Sequence, residues 1–217
     1  MIIFLLSALA ARLMGISSAS IWFDESMSIL HIQKGIYLYS WDLVLAPFSH
    51  GPVWLLRLPS LAFSILGLWI AWKIMRLLNF NHGQMLVSCT ALVVLPGLIW
   101  LGQDARYYAA LSACYMGAIW FAMNRKPLGL FATVGILGNI HPTGIILGVS
   151  AIIISLFYMP FKRVLVSALG LLCAIPFFIS FVIYIQSNPG VWFESNVITS
   201  LGLAALLTPS THRSVDS

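Results

Sequence analysis

Charge is what this sequence has least of. Only 8% of its 217 residues are Asp, Glu, Lys or Arg, while 60% are hydrophobic, against the ~25% charged residues of an ordinary soluble domain. That excludes a soluble fold. At roughly 20 residues per bilayer-spanning helix, the length accommodates about seven spans and no separate soluble domain. Cysteine is also scarce: Cys89, Cys114 and Cys173 stand far apart in apolar runs, without a CxxC pair or a neighbouring His. Neither a disulfide framework nor a zinc site is expected, and small buried hydrophobes are. Lys and Arg number 11 for a net charge of +5, too scattered to form the basic stripe of a nucleic-acid binder. Gly-rich phosphate loops, HExxH and a Ser/His/Asp order are missing as well. The first apolar run, which passes Ala8-Leu9-Ala10, lacks the basic stretch of a signal peptide and is expected to remain as a helix.

What the sequence does have is long apolar runs. The first extends from residue 1 to about 22 and carries Arg12, expected near an interface where its stem can snorkel. Residues 22–57 mix charge, aromatics and proline, and are expected to form one long loop with short interfacial helices. Further spans fall at about 58–76, 85–102 and 106–123. The stretch 128–161 is broken at Asn139-Ile140-His141-Pro142-Thr143-Gly144 into two helices, the first unusually short. The last span covers about 164–186. The expectation is an all-α polytopic integral membrane protein of about seven transmembrane helices, with a single membrane domain over residues 1–208 and a polar tail over 209–217.

Alternating these spans separates the loops into two sets. One holds Lys73, Arg76, His82, Arg125, Lys126, Lys162 and Arg163 and no acid, which makes it the cytoplasmic side. The other holds Asp24, Glu25, Asp42, Asp104 and Glu194 with His31, His50, His141, Lys34, Arg57 and Arg106. Any chemistry is therefore expected outside the cytoplasm. Asp24 and Glu25 form an adjacent carboxylate pair in which one member holds its proton more tightly, as a general base requires; a solvated helix end reads equally well. Asp104 and Arg106, in Gln103-Asp104-Ala105-Arg106-Tyr107-Tyr108, neutralise each other, cap the next helix, or build a site at membrane depth, where ionisable groups are expensive. Arg57 precedes Leu58-Pro59-Ser60, with Pro59 read as the first turn of the second span. Its guanidinium suits either bidentate phosphate binding or headgroup anchoring. His50 and His141, each close to a proline, read first as structural residues.

The order of these motifs is more specific than any one of them. Trp22-Phe23-Asp24-Glu25-Ser26, His50-Gly51-Pro52, Arg57-Leu58-Pro59-Ser60 and Gln103-Asp104-Ala105-Arg106-Tyr107-Tyr108 together resemble the GT-C membrane glycosyltransferases. The bacterial relatives of dolichyl-phosphate-mannose protein mannosyltransferases and of the lipid A aminoarabinose transferase are the look-alikes, and His141-Pro142 fits the same pattern. The resemblance covers roughly residues 1–160, the amino-terminal membrane module, and departs from the pattern in the short spacing between Pro52 and Arg57.

The resemblance implies a hexosyl or pentosyl transferase in a bacterial inner membrane with its site facing outward. A sugar would pass from a polyprenyl-phosphate donor to a hydroxyl on a lipid, glycan or protein acceptor. It implies Asp24 as base beside Glu25, with Asp104 as a further catalytic carboxylate. Arg57, Arg106, His50 and His141 are implied on the substrate side. A divalent metal serves some members and not others, so no metal and no certain cofactor is assigned. The competing expectation is a catalytically silent accessory protein that binds a lipid-linked sugar or a partner.

Overall fold

The computed structural model describes residues 1–14, 16, 23–37 and 40–187. Glu194 and Trp22 lie outside them, and of Asp24 only the backbone is described. The described residues are helical, with no strand among them: α1 (Ile2–Leu13), α2 (Phe23–Gln33), α3 (Ser40–Leu45), a 3₁₀ turn (Ala46–Phe48), α4 (Val53–Leu77), α5 (His82–Val94), α6 (Pro96–Gln103), α7 (Tyr108–Met123), α8 (Pro127–Ile140), α9 (Pro142–Ser155), α10 (Phe161–Ala168), a 3₁₀ segment (Leu169–Ala174) and α11 (Ile175–Ser187). Residues 1–178 form one compact unit, and α11 runs from it into a second unit that begins at Ile179.

Among the described residues one helix, α4, is long and apolar enough to cross a membrane. The pair α5 and α6 counts as a second if its 52° bend is taken within one span, and α1, α7, α8 and α9 are shorter apolar helices. Three boundaries differ from the sequence reading, two of them through proline. The expected span 85–102 is broken because Pro96 has no N–H and its ring clashes with the preceding turn, so Leu95 turns extended (ψ 116) and Pro96 opens α6. The second span starts at Val53 behind Pro52, which puts Arg57 inside α4 instead of before it and moves Pro59 from the first turn into the helix interior. The first helix stops at Leu13, so Asp24 and Glu25 belong to the first turn of α2 and not to the end of α1. The break at His141-Pro142 falls where it was expected, between a short α8 and α9.

Close contacts fix the direction of the helices. Ser60 bonds to Arg106, Gly67 lies on Ala113 and Gly117 on Ile70, so α4 and α7 run parallel. Gly129 meets Phe121 and Gly117 meets Thr133, so α8 returns antiparallel to α7. Gly144 on Leu137 and Gly148 on Val134 make α9 antiparallel to α8. The buried face of α7 is almost all small: Ala109, Ala110, Ala113, Gly117, Ala118 and Ala122, which lets backbones approach in the manner of helices packed in lipid. The core joins Trp41 and Leu45 to Leu111, Leu130, Val134, Leu137 and Ile140. The exterior is apolar too, with Ile3, Ile146 and Phe157 at 81%, 70% and 84% exposure, an arrangement that water does not tolerate over a large area.

Candidate functional site

At one end of the bundle α2, α4 and the α6–α7 turn meet in a buried polar layer. Glu25, in the first turn of α2, and Arg57, in the second turn of α4, pair bidentately: Arg57 Nε donates to Glu25 Oε1 at 3.0 Å and Nη2 to Oε2 at 2.9 Å. Both side chains are buried, to 2% and 1% exposure. Arg57 Nη1 also donates to the Ile16 carbonyl at 2.9 Å. Glu25 Oε1 accepts the backbone N–H of Ala105 at 2.8 Å. Desolvating two charges is offset only when geometry is good and the remaining donors are used, as they are here. Glu25 therefore serves as a bolt between three elements, and Arg57 is engaged by a carboxylate and a carbonyl.

The turn that carries Asp104 and Arg106 is gripped from several sides. Gln103 Nε2 donates to the carbonyls of Arg12 and Met14 at 3.0 and 2.6 Å, which satisfies the end of α1. Trp41 Nε1 donates to the Ala105 carbonyl at 2.9 Å, and the Ser60 hydroxyl to the Arg106 carbonyl at 3.2 Å. Asp104 is the C-cap of α6, extended at φ −94 and ψ 127. It does not cap α7, whose N-cap is Tyr107.

Its carboxylate is 2% exposed, and neither oxygen has a hydrogen-bond partner among the described residues. Burial pushes this carboxyl up to about 6, and the negative charge of Glu25 adds to the rise. The positive charges of Arg106 and Arg57 oppose it, as does the Arg106 amide, which acts from outside hydrogen-bond geometry.

Arg106 lies over the Tyr108 ring, 4.7 Å from its centroid, and donates from Nη2 to the Tyr108 hydroxyl at 2.9 Å. Tyr107 stacks on His141 at 4.0 Å and 15°. His141 is the N-cap of α9, its Nδ1 accepting the Thr143 N–H at 3.2 Å, so in the neutral ring the proton sits on Nε2. Burial first, and then the charge of Arg106, lower His141 to about 4. It is a neutral ring near neutral pH.

Of the residues read from the sequence, Glu25, Arg57, Asp104, Arg106 and His141 thus belong to one end of the bundle. Asp24 adjoins Glu25 in α2, its side chain outside the described residues. His50 is exposed in the turn after Ser49 and makes no hydrogen bond among the described residues, so it does not join the layer. Trp41 was not anticipated; its only sequence signal was an aromatic between Ser40 and Asp42 in a polar stretch. Among the described residues no group of three or more His, Cys, Asp or Glu could hold a metal ion.

The layer offers a buried acid that titrates near neutrality, a cation on an aromatic shelf and a neutral imidazole, a set suited to proton transfer beside an anionic group. Comparison with family models, with curated proteins and with solved structures finds no match to this chain.

Proposed function

We propose that this chain is the membrane module of a GT-C-type glycosyltransferase, crossing the membrane about seven times, with its site on the extracytoplasmic side. The reading rests on one observation: Trp22-to-Ser26, Arg57-to-Ser60, Gln103-to-Tyr108 and His141 are far apart in sequence, and their described residues meet at one end of the bundle.

In the proposed reaction the acceptor hydroxyl gives its proton to Asp24 while its oxygen attacks the anomeric carbon of the donor sugar. The bond from that carbon to the phosphate oxygen breaks, and the electron pair leaves with the polyprenyl phosphate. The sugar inverts. Arg106 stabilises the departing phosphate and His141 donates to it from Nε2. Asp104 supplies the second carboxylate at the reacting end, and the Glu25–Arg57 pair positions α2, and Asp24 with it, against the α6–α7 turn. The donor is a polyprenyl-phosphate sugar and the acceptor a lipid, glycan or protein.

The buried Glu25–Arg57 pair also favours a second reading. An arginine closed onto a carboxylate is not available to stabilise a departing phosphate, a loss that an accessory protein tolerates because it binds a lipid-linked sugar without turning it over. Transfer from a panel of radiolabelled polyprenyl-phosphate sugars, measured in membranes containing the full chain, separates the two. The enzyme reading expects Asp24→Asn to lower transfer by about 100-fold or more, the scale of a lost general base, with insertion into the membrane unchanged. Transfer equal in the wild type and Asp24→Asn refutes it. Donor crosslinking to a wild type that transfers nothing supports the accessory reading.

A further inference from the structure

Two turns along α4 from Arg57, Ser64 faces a second buried arginine. Arg12 is completely enclosed at 0% exposure. Its Nε donates to Ser64 Oγ at 2.7 Å and its Nη1 to the Ala8 carbonyl at 3.1 Å. The side chain therefore turns back toward the start of α1 and does not snorkel outward as the sequence had led one to expect. Gly102 makes the room, since a Cβ there would press to 3.0 Å against both Arg12 Cδ and Ser64 Oγ. Nη2 is left with no acceptor, and no carboxylate pairs with Arg12 among the described residues.

Arg12 borders a partly open pocket of about 40 Å³ between α1, α4, α5, α6 and α7, with walls that include Phe63, Leu98 and Met116. Its other polar side chains are Ser64 and Ser112. Neither hydroxyl donates to an acceptor among the described residues, and the Ser64 oxygen already accepts from Arg12. The polar side chains facing this space are thus donors that lack acceptors.

A water in the cavity would accept from two of them. Water would also leave the guanidinium charge without a counter-charge. A monatomic anion accepts from all three groups and cancels the charge. The volume suits one such ion or about three waters, at about 10–15 Å³ per water on the same measure, and only the ion supplies a counter-charge. We infer that the cavity is a halide site, filled by chloride, which holds α1 against α4 and α6.

The experiment uses the full chain in detergent, with equilibrium binding of radioactive chloride and thermal unfolding in chloride or gluconate at equal ionic strength. One chloride per chain, displaced by bromide, and a saturable rise of the unfolding midpoint in chloride are expected. Ser112→Ala leaves the Arg12–Ser64 bond intact and should weaken binding about tenfold, the worth of one hydrogen bond to a charged group. Arg12→Gln should abolish it. Absence of saturable chloride binding to the folded wild type overturns the inference in favour of water, as does binding that Ser112→Ala leaves unchanged. Both decisive measurements stand even if Arg12→Gln fails to fold.

Discussion

Asp104 costs the fold stability at neutral pH, and its pKa says how much. The unfolded chain releases this proton near its ordinary value of 3.8 and the folded chain at about 6. Between those values the unfolded state loses its proton first, so stability falls as pH rises from about 4 to 6 and is level above. Below pH 4 the cost is absent. Two units correspond to about 3 kcal/mol. Asp104→Asn, which is neutral at every pH, should therefore stabilise the protein by about 2–3 kcal/mol at pH 8 and by little at pH 4. Thermal unfolding of detergent-solubilised protein at the two pH values measures the difference, and an equal effect at both would mean that Asp104 is not ionised at neutrality. On the proposed reading, a carboxylate held at this expense beside Arg106 serves the chemistry and not the packing. The charged residues were visible in the sequence, but their partners were not. Glu25 and Arg57 lie 32 positions apart, and only their distance shows that each neutralises the other.

Helices α8 and α9 meet where side chains are missing. A Cβ on Gly144 would run into the Leu137 carbonyl, and one on Gly138 into Ala174 of the 3₁₀ segment that packs on α8. Gly144→Ala should cost about 3 kcal/mol, the upper end for overpacking, because the obstacle is backbone and cannot rotate away. Gly97, in the first turn of α6, has nothing within 4 Å of the added atom; Gly97→Ala should be neutral or stabilise by about 0.5–1 kcal/mol through helix propensity. Unfolding midpoints of the two variants test the contrast. Proline shows why elements were legible only in part. Pro142, flanked by His141 and Gly144, announced its break because three punctuating residues coincide. Pro96 lies in an apolar run with Gly97 as its only punctuating neighbour, and the bend passed unnoticed. Pro52 and Pro59 were both acceptable helix openers, and the choice between them is made by tertiary packing, with Pro59 inside α4 facing a carbonyl it cannot bond.

The contact registers give the whole bundle two chemically different ends. Since α4 and α7 run parallel and α8 returns antiparallel, Lys73 and Arg76 at the close of α4 share an end with Arg125 and Lys126 at the turn into α8. Ser167 of α10 bonds to the Pro127 carbonyl at 3.1 Å, which brings Lys162 and Arg163 toward the same end. Glu25, Asp42 and Asp104 occupy the other, joined through Trp41 and Ala105. Helices of 14 residues such as α8 and α9 reach only about 21 Å, short of the ~30 Å hydrocarbon core. On the proposed topology they cross a locally thinned bilayer or are shielded by their longer neighbours, and basic residues at one end set the orientation. An alkaline phosphatase reporter fused after Arg125 should therefore be inactive, the cytoplasmic result, and one inserted in the turn at His50 active. The reverse pattern would put the Asp104 layer in the cytoplasm. Activity at both positions would mean that the helices between them do not cross an odd number of times. The reverse pattern removes the extracytoplasmic donor from the proposed reaction, since the acidic end and the donor must face the same side, and activity at both positions removes the proposed crossing count.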